Sequence, residues 1–208
     1  MLVACFDMEG VFLPEIWIEV SKITGIKELA LTTRDVQDYD ELMLGRLRLL
    51  DQHGITIDKI QEVISTIKPV EGAREFLDWA KSQCQLIVLS DTFYEFAKPL
   101  MPALGWPTLF CHNLTLAPSG RIENYNIRIK DPKRRAVLSF RDLNFRTFAC
   151  GDSYNDVSMI QEADHGCFFR APENVLADYP NYSGYTSFDE LREVLTGLIS
   201  SNSELERV

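Results

Sequence analysis

Two short apolar runs, far apart in the chain, end in the same way. Leu2-Val3-Ala4-Cys5-Phe6 gives way to Asp7-Met8-Glu9-Gly10, and Phe145-Arg146-Thr147-Phe148-Ala149-Cys150 gives way to Gly151-Asp152-Ser153-Tyr154-Asn155-Asp156. Continuous apolar runs of this length suit strands buried on both faces. In an open α/β sheet the carboxyl ends of such strands face one crevice, where ligands bind. Acids gathered there repel one another and imply a divalent cation.

Strand and helix patterns alternate, which predicts an α/β fold with a Rossmann-like, doubly wound parallel sheet. Strands are expected over residues 2–6, 85–89, 146–150 and 166–169, with a weaker one near 108–110. Between the first two lies a mostly helical excursion, residues 14–68. Pro14 suits a first helical turn, Ile16, Val20 and Ile23 form a stripe, and Gly25 suits the stop. Met43, Leu47 and Leu50 mark a second amphipathic helix ending near Gly54. Asp58 and Gln61 have capping-box spacing ahead of Ile60, Val63, Ile64 and Ile67, and Pro69 closes the segment. That is too much helix for an ordinary crossover. Residues 14–68 are therefore expected to form an inserted helical cap, and residues 1–13 with 69–208 the catalytic core. Residues 71–81 would return the chain as a helix. Residues 114–116 and 121–129, joined by Ala117-Pro118-Ser119-Gly120, predict a small β-hairpin outside the main sheet. The polar end, residues 200–208, is expected to fray.

A chain of 208 residues, 46% hydrophobic, can bury the core of one such domain. Its 31 acidic and 21 basic residues, a formal charge of -10, argue against a nucleic-acid or membrane-surface partner. Cys5, Cys84, Cys111, Cys150 and Cys167 are odd in number and lack CxxC spacing, so they are read as reduced thiols. The start of the chain has no basic region ahead of its apolar run, and no stretch approaches a membrane span, so a cytoplasmic location is expected. Nothing in the sequence fixes the oligomeric state.

Asp7 and Glu9 suit phosphoryl transfer through an aspartyl-phosphate. Asp7 would attack, and Glu9, on the same side of an extended segment, would move protons. Mg²⁺ prefers oxygen ligands, which Asp7, Asp152 and the Glu9 carbonyl can supply, with Asp156 anchoring its waters. Lys133, in Asp131-Pro132-Lys133-Arg134-Arg135 at a helix start, can neutralise phosphate. Ser90 and the turn through Asp91 can hold a phosphate oxygen. Asn155 can hydrogen-bond phosphate, orient Lys133 or cap its own turn. Each feature alone has a plain alternative: a solvated turn for Asp7 and Glu9, an exposed helix end for Lys133, a helix cap for Ser90 or Asp91. Their conjunction, each at an expected strand end or helix start, favours a site.

In that order the residues Asp7-Met8-Glu9-Gly10-Val11, Ser90, Lys133 and Gly151 to Asp156 resemble the four motifs of the haloacid dehalogenase-like superfamily. Within it, the stretches 7–17, 90–96, 130–134 and 151–156 are similar to the phosphoserine phosphatases, above all their bifunctional phosphoserine phosphatase/homoserine phosphotransferase branch. The resemblance implies Mg²⁺ and transfer from O-phospho-L-serine to water or L-homoserine. It makes Asp7 the nucleophile, Glu9 the acid/base, Ser90 and Lys133 phosphate ligands and Asp152 a metal ligand. Two departures stand out: Glu9 where most members have Asp, although the bifunctional branch also has Glu, and Ser90-Asp91-Thr92 where the usual phosphoserine phosphatases have Ser-Gly-Gly. Asp91 brings extra negative charge unless it meets a helix terminus or a substrate ammonium.

Phosphoserine also carries an ammonium and a carboxylate. Glu15 is placed for the first and Arg46 for the second, with Arg34 in reserve. His53, His112 and His165 lack ligand spacing and receive no role; Trp17, Trp79 and Trp106 read as core. Two other readings remain: a phosphatase for a different small phosphomonoester, and a non-catalytic ligand-binding protein on the same scaffold.

Overall fold

The first strand, β1 (Leu2–Phe6), is buried along its whole length. It lies at the centre of a sheet that the computed structural model describes over residues 1–32, 35, 36 and 38–205, with side chains through Ser201. After it come α1 (Ile16–Thr24), a 3₁₀ turn (Lys27–Ala30), α2 (Tyr39–Gln52), α3 (Ile57–Ile64), α4 (Ala73–Gln83) and β2 (Gln85–Phe93). Then follow α5 (Tyr94–Ala97), α6 (Met101–Leu104), β3 (Thr108–Leu116), β4 (Ile122–Asn126), α7 (Pro132–Asp142) and β5 (Arg146–Gly151). A 3₁₀ turn (Tyr154–Asp156), α8 (Val157–Glu162), β6 (His165–Phe169), α9 (Glu173–Asp178), β7 (Ser183–Tyr185) and α10 (Phe188–Leu205) complete the chain.

The strand order is β4-β3-β2-β1-β5-β6-β7, parallel except for β4. Successive strands run outward from β1 to β4, then the chain returns to β5 on the other side of β1. That reversal opens a crevice at the carboxyl ends of β1, β2 and β5. One face of the sheet packs Phe6, Phe12, Phe76, Phe148, Phe169 and Phe188, and the other Val3, Cys5, Val137, Ala149 and Phe168. Two buried faces explain why these strands read as unbroken apolar runs.

Local rules place the helices well, and tertiary contacts modify them. Gly25 ends α1 at φ +75°, as expected of a left-handed cap. Pro14 lies ahead of the helix rather than in its first turn, and Ile23 is 51% exposed, so the buried stripe is Ile16 and Val20. Met43, Leu47 and Leu50 are buried as expected. The expected box at Asp58 and Gln61 does not form: Thr56 precedes α3, and the Gln61 amide donates to the Glu95 carbonyl. Tertiary contact has claimed the side chain that the local motif would use.

The hairpin lies in the sheet rather than outside it, because β3 runs on continuously past the crevice and β4 pairs with its far half. The hairpin supports the helices: the Ile57 N–H donates to the Gly120 carbonyl of its turn, and Tyr125 of β4 donates to Asp40. Helix α10 runs to Leu205, past residue 200 where fraying was expected to begin; residues 206–208 lie outside the described residues. Trp106 is 65% exposed and so is not core, whereas Trp17 and Trp79 pack against the core. The five cysteines are free thiols. Among the described residues no helix is long and apolar enough to cross a membrane.

Candidate active site

Asp7 is the first residue after β1, fixed by its own N–H donating to the Cys150 carbonyl of β5. The residue is 4% exposed. The Met8 N–H and Lys133 Nζ both approach Oδ1, at 2.7 and 2.9 Å. Among the described residues neither contact engages Oδ2, which leaves that oxygen available to attack. Burial first, then Asp156, pushes the Asp7 pKa well above the usual carboxylate range against the pull of Lys133.

The opposite wall comes from β5. Gly151 lets the backbone pass over Asp156: a Cβ there would lie 2.2 Å from the Asp156 carboxyl carbon. Fully buried Asp156 accepts through Oδ2 from the N–H groups of Asp152 and Ser153, at 3.0 and 3.2 Å, and through Oδ1 from Lys133 at 2.7 Å. Gly10 (φ +76°) performs the same service for Asp152, whose carboxylate would lie 2.3 to 2.5 Å from a Cβ at that position. Burial and Asp156 raise the Asp152 pKa to about 7.

Lys133 enters from the first turn of α7, preceded by Asp131 at φ +52° and by Pro132. Its ammonium is 3% exposed and ringed by Asp156 at 2.7 Å, Asp7 at 2.9 Å and Asp91 at 3.4 Å. Burial works against its charge, but Asp156, Asp7 and Asp91 together raise its pKa well above the usual value.

Ser90 and Asp91 owe their position to an irregularity in β2. Leu89 pairs with Phe110 and Phe93 with His112, so Ser90, Asp91 and Thr92 stand opposite Cys111 alone. The surplus residues bulge at the crevice. Ser90 Oγ, buried, accepts from the Thr92 N–H at 3.2 Å, and neither Ser90 nor Asp91 caps α5. Asp91 Oδ2 accepts from Asn155 Nδ2 at 3.0 Å, while Oδ1 lies 3.7 Å from His112 Nε2. Burial tends to raise its pKa, yet Lys133, His112 and Asn155 together hold it far below the usual range. Asn155 thus joins the two elements, donating from Nδ2 to Asp91 and accepting at Oδ1 from Ser153 Oγ of its own turn.

Glu9 is half-buried, and its Oε2 accepts from the Ile16 N–H, at the start of α1, at 2.8 Å. Burial and the Glu15 carboxylate raise its pKa to about 8, which suits a group that holds and releases a proton near neutrality. Glu15 is exposed at the head of α1, near enough to raise both Glu9 and Asp152. Arg46, 8% exposed, lies over the Trp17 ring at 4.5 Å and donates from Nη2 to the Leu31 carbonyl; among the described residues its buried Nε has no hydrogen-bond partner. Burial lowers its pKa to about 10, while Tyr39, Glu9 and Glu15 act the other way. Arg34 lies outside the described residues.

Carboxylate oxygens of Asp7, Asp152 and Asp156 come within 4.8 Å of one another. An all-oxygen donor set at a glycine-cleared approach fits a hard divalent cation such as Mg²⁺. Asp156, already committed to Lys133 and two amides, orients the set from behind. The sequence missed His112, because its partner Asp91 lies on the neighbouring strand. It also missed Tyr39, whose pKa is raised by burial and then by Asp91.

A reversal crevice lined by buried acids and a buried lysine defines an α/β enzyme of the doubly wound class. The chain belongs to the haloacid dehalogenase-like hydrolases, whose family model matches residues 1–164. It is 52% identical over 203 residues to a phosphoserine phosphatase of Pseudomonas syringae pv. tomato, covering 98% of this chain and 85% of that one. It is also 52% identical over 192 residues to phosphoserine phosphatase ThrH of Pseudomonas aeruginosa, covering 92% and 94%. A crystal structure of an apo phosphoserine phosphatase superposes with TM-score 0.74 at 21% identity, over 93% of this chain and 97% of the other; that likeness concerns the fold.

Proposed function

We propose that the protein is a Mg²⁺-dependent phosphatase of O-phospho-L-serine that works through an aspartyl-phosphate and can also pass the phosphoryl group to L-homoserine. The observation that carries this reading is the Asp7 carboxylate, whose Oδ1 is held by Lys133 and Met8 while neither of them engages Oδ2. The names of the two relatives at 52% identity support the substrate, and the motif resemblance supports homoserine as second acceptor.

Asp7 Oδ2 attacks phosphorus, and the bond from phosphorus to the serine oxygen breaks. Protonated Glu9 gives its proton to that leaving oxygen. Glu9, now a carboxylate, takes a proton from water or from the homoserine hydroxyl, whose oxygen attacks phosphorus and frees Asp7. Lys133, Ser90 Oγ and the amides of the bulge hold phosphate oxygens. Glu15 meets the substrate ammonium and Arg46 its carboxylate, and Asp91 and Asn155 line the same pocket. Asp7, Asp152 and the Glu9 carbonyl would hold Mg²⁺, with Asp156 behind them; when bound, the ion neutralises charge on the phosphoryl oxygens.

The test is phosphoserine turnover with and without homoserine, measuring free phosphate and phosphohomoserine together, in the unmodified protein and in Asp7→Asn. Turnover lost in Asp7→Asn, with diversion of phosphate by homoserine, is expected. Undiminished turnover in Asp7→Asn would overturn covalent catalysis by this residue.

A further inference from the structure

Three carboxylates surround Lys133 Nζ, and they are not equivalent. Asp156 and Asp7 sit at hydrogen-bond distance, 2.7 and 2.9 Å, while Asp91 stands back at 3.4 Å. An ammonium has three protons, and a carboxylate beside a buried cation would ordinarily close to about 2.8 Å. Something holds Asp91 away. Its Oδ2 is taken by Asn155 Nδ2 at 3.0 Å, and its Oδ1 faces His112 Nε2 at 3.7 Å. His112 is 2% exposed and its ring is fixed from the other side: Nδ1 accepts the Arg128 N–H at 3.2 Å. A neutral imidazole that accepts at Nδ1 carries its hydrogen on Nε2, so the atom aimed at Asp91 is a donor. At 3.7 Å this is a dipole facing a charge rather than a full hydrogen bond. The β2 bulge puts the two side chains together, because His112 pairs with Phe93 just beyond the surplus residues that carry Asp91.

We propose that His112 is a positioning residue for the phosphate site: with Asn155 it holds Asp91 back from Lys133, so that the third ammonium proton stays available to a phosphate oxygen. The proposal rests on the reading that phosphate binds at Ser90 and Lys133. It gives Asp91, which replaces a glycine of the usual motif, a defined relation to the cation. Without its restraint, Asp91 would compete with phosphate for Lys133. With it, the carboxylate only moderates the affinity for phosphate.

Inhibition by inorganic phosphate, measured against p-nitrophenyl phosphate, tests this. His112→Asn keeps an acceptor near Nδ1 for the Arg128 N–H and removes the donor facing Asp91. It should raise the phosphate inhibition constant and KM by roughly tenfold, the scale of one charge-assisted hydrogen bond, while kcat moves little. His112→Gln, which can present a donor near Nε2, should stay close to the unmodified protein. Adding Asp91→Asn to His112→Asn should cancel the rise, and Asp91→Asn alone should tighten phosphate. That last arm remains decisive if His112→Asn does not fold. A merely structural histidine would lower activity without moving the inhibition constant and would not be rescued by a change at Asp91. An unchanged inhibition constant in His112→Asn, a rise that persists with Asp91→Asn, or Asp91→Asn alone failing to tighten phosphate would each overturn the proposal. No phosphate inhibition in the unmodified protein would instead overturn the phosphate-site reading beneath it.

Discussion

Lys133 Nζ and Asp156 Oδ1 meet at 2.7 Å with both side chains almost wholly out of solvent. Removing the lysine would leave Asp156 and Asp7 as buried charges without their counter-ion. For Lys133→Met we expect a loss of about 3–5 kcal/mol of stability where the carboxylates stay charged. In phosphoserine assays kcat/KM should fall by at least about a hundredfold, as when a preorganised charge at a reacting centre is deleted. Urea titration and steady-state kinetics measure the two effects.

Glu9 and Asp152 have pKa values raised to about 8 and about 7. A carboxyl group that binds its proton more tightly when folded makes the native state lose stability as pH rises from the unfolded pKa through the folded one. Without divalent cations, the melting temperature should therefore fall between about pH 4.5 and 8. Glu9→Gln should flatten the upper part of that fall. On the proposed function Mg²⁺ is held by deprotonated acids, so it should raise the melting temperature more at pH 8 than at pH 5, and thermal scans across that range test this.

Gly10→Ala would place a methyl group 2.3 to 2.5 Å from atoms of the Asp152 carboxylate, at a backbone φ of +76°. The expected outcome is weakened Mg²⁺ dependence of activity, with a stability cost of about 1 kcal/mol or more from the left-handed backbone. Gly25→Ala, also at positive φ but with nothing near its Cβ, should carry the backbone cost alone. Mg²⁺ titration of activity in the two variants separates displacement of Asp152 from strain.

Arg46→Ala removes a guanidinium stacked on Trp17 whose Nε has no hydrogen-bond partner among the described residues. KM for phosphoserine should rise far more than KM for p-nitrophenyl phosphate, which has no carboxylate to meet. Equal effects on the two substrates would reject the carboxylate role.

Tyr125 of β4 donates to Asp40 at the start of α2 and packs edge-on against Tyr39. Tyr125→Phe should loosen α2 against β4, seen as faster amide exchange along α2 with little change in β1 or β5.

Apolar runs ending in acids disclosed the parallel sheet, its central strand and the places of Asp7 and Asp152, because burial on both faces leaves a continuous imprint on neighbouring residues. Lys133 was legible from Asp131-Pro132, which starts a helix by local rules. The pairing of Asp91 with His112 was not, because a β2 bulge joins residues on adjacent strands and no spacing along the chain encodes it. Gln61 and the hairpin went the same way: in both a contact made by a distant segment outweighed a local preference, whereas Ile23 stays exposed on the outer side of α1. Strand and helix identities arise from short-range patterning, which the chain carries by itself. Only tertiary packing decided which charges face one another, since distance in space and burial set those interactions.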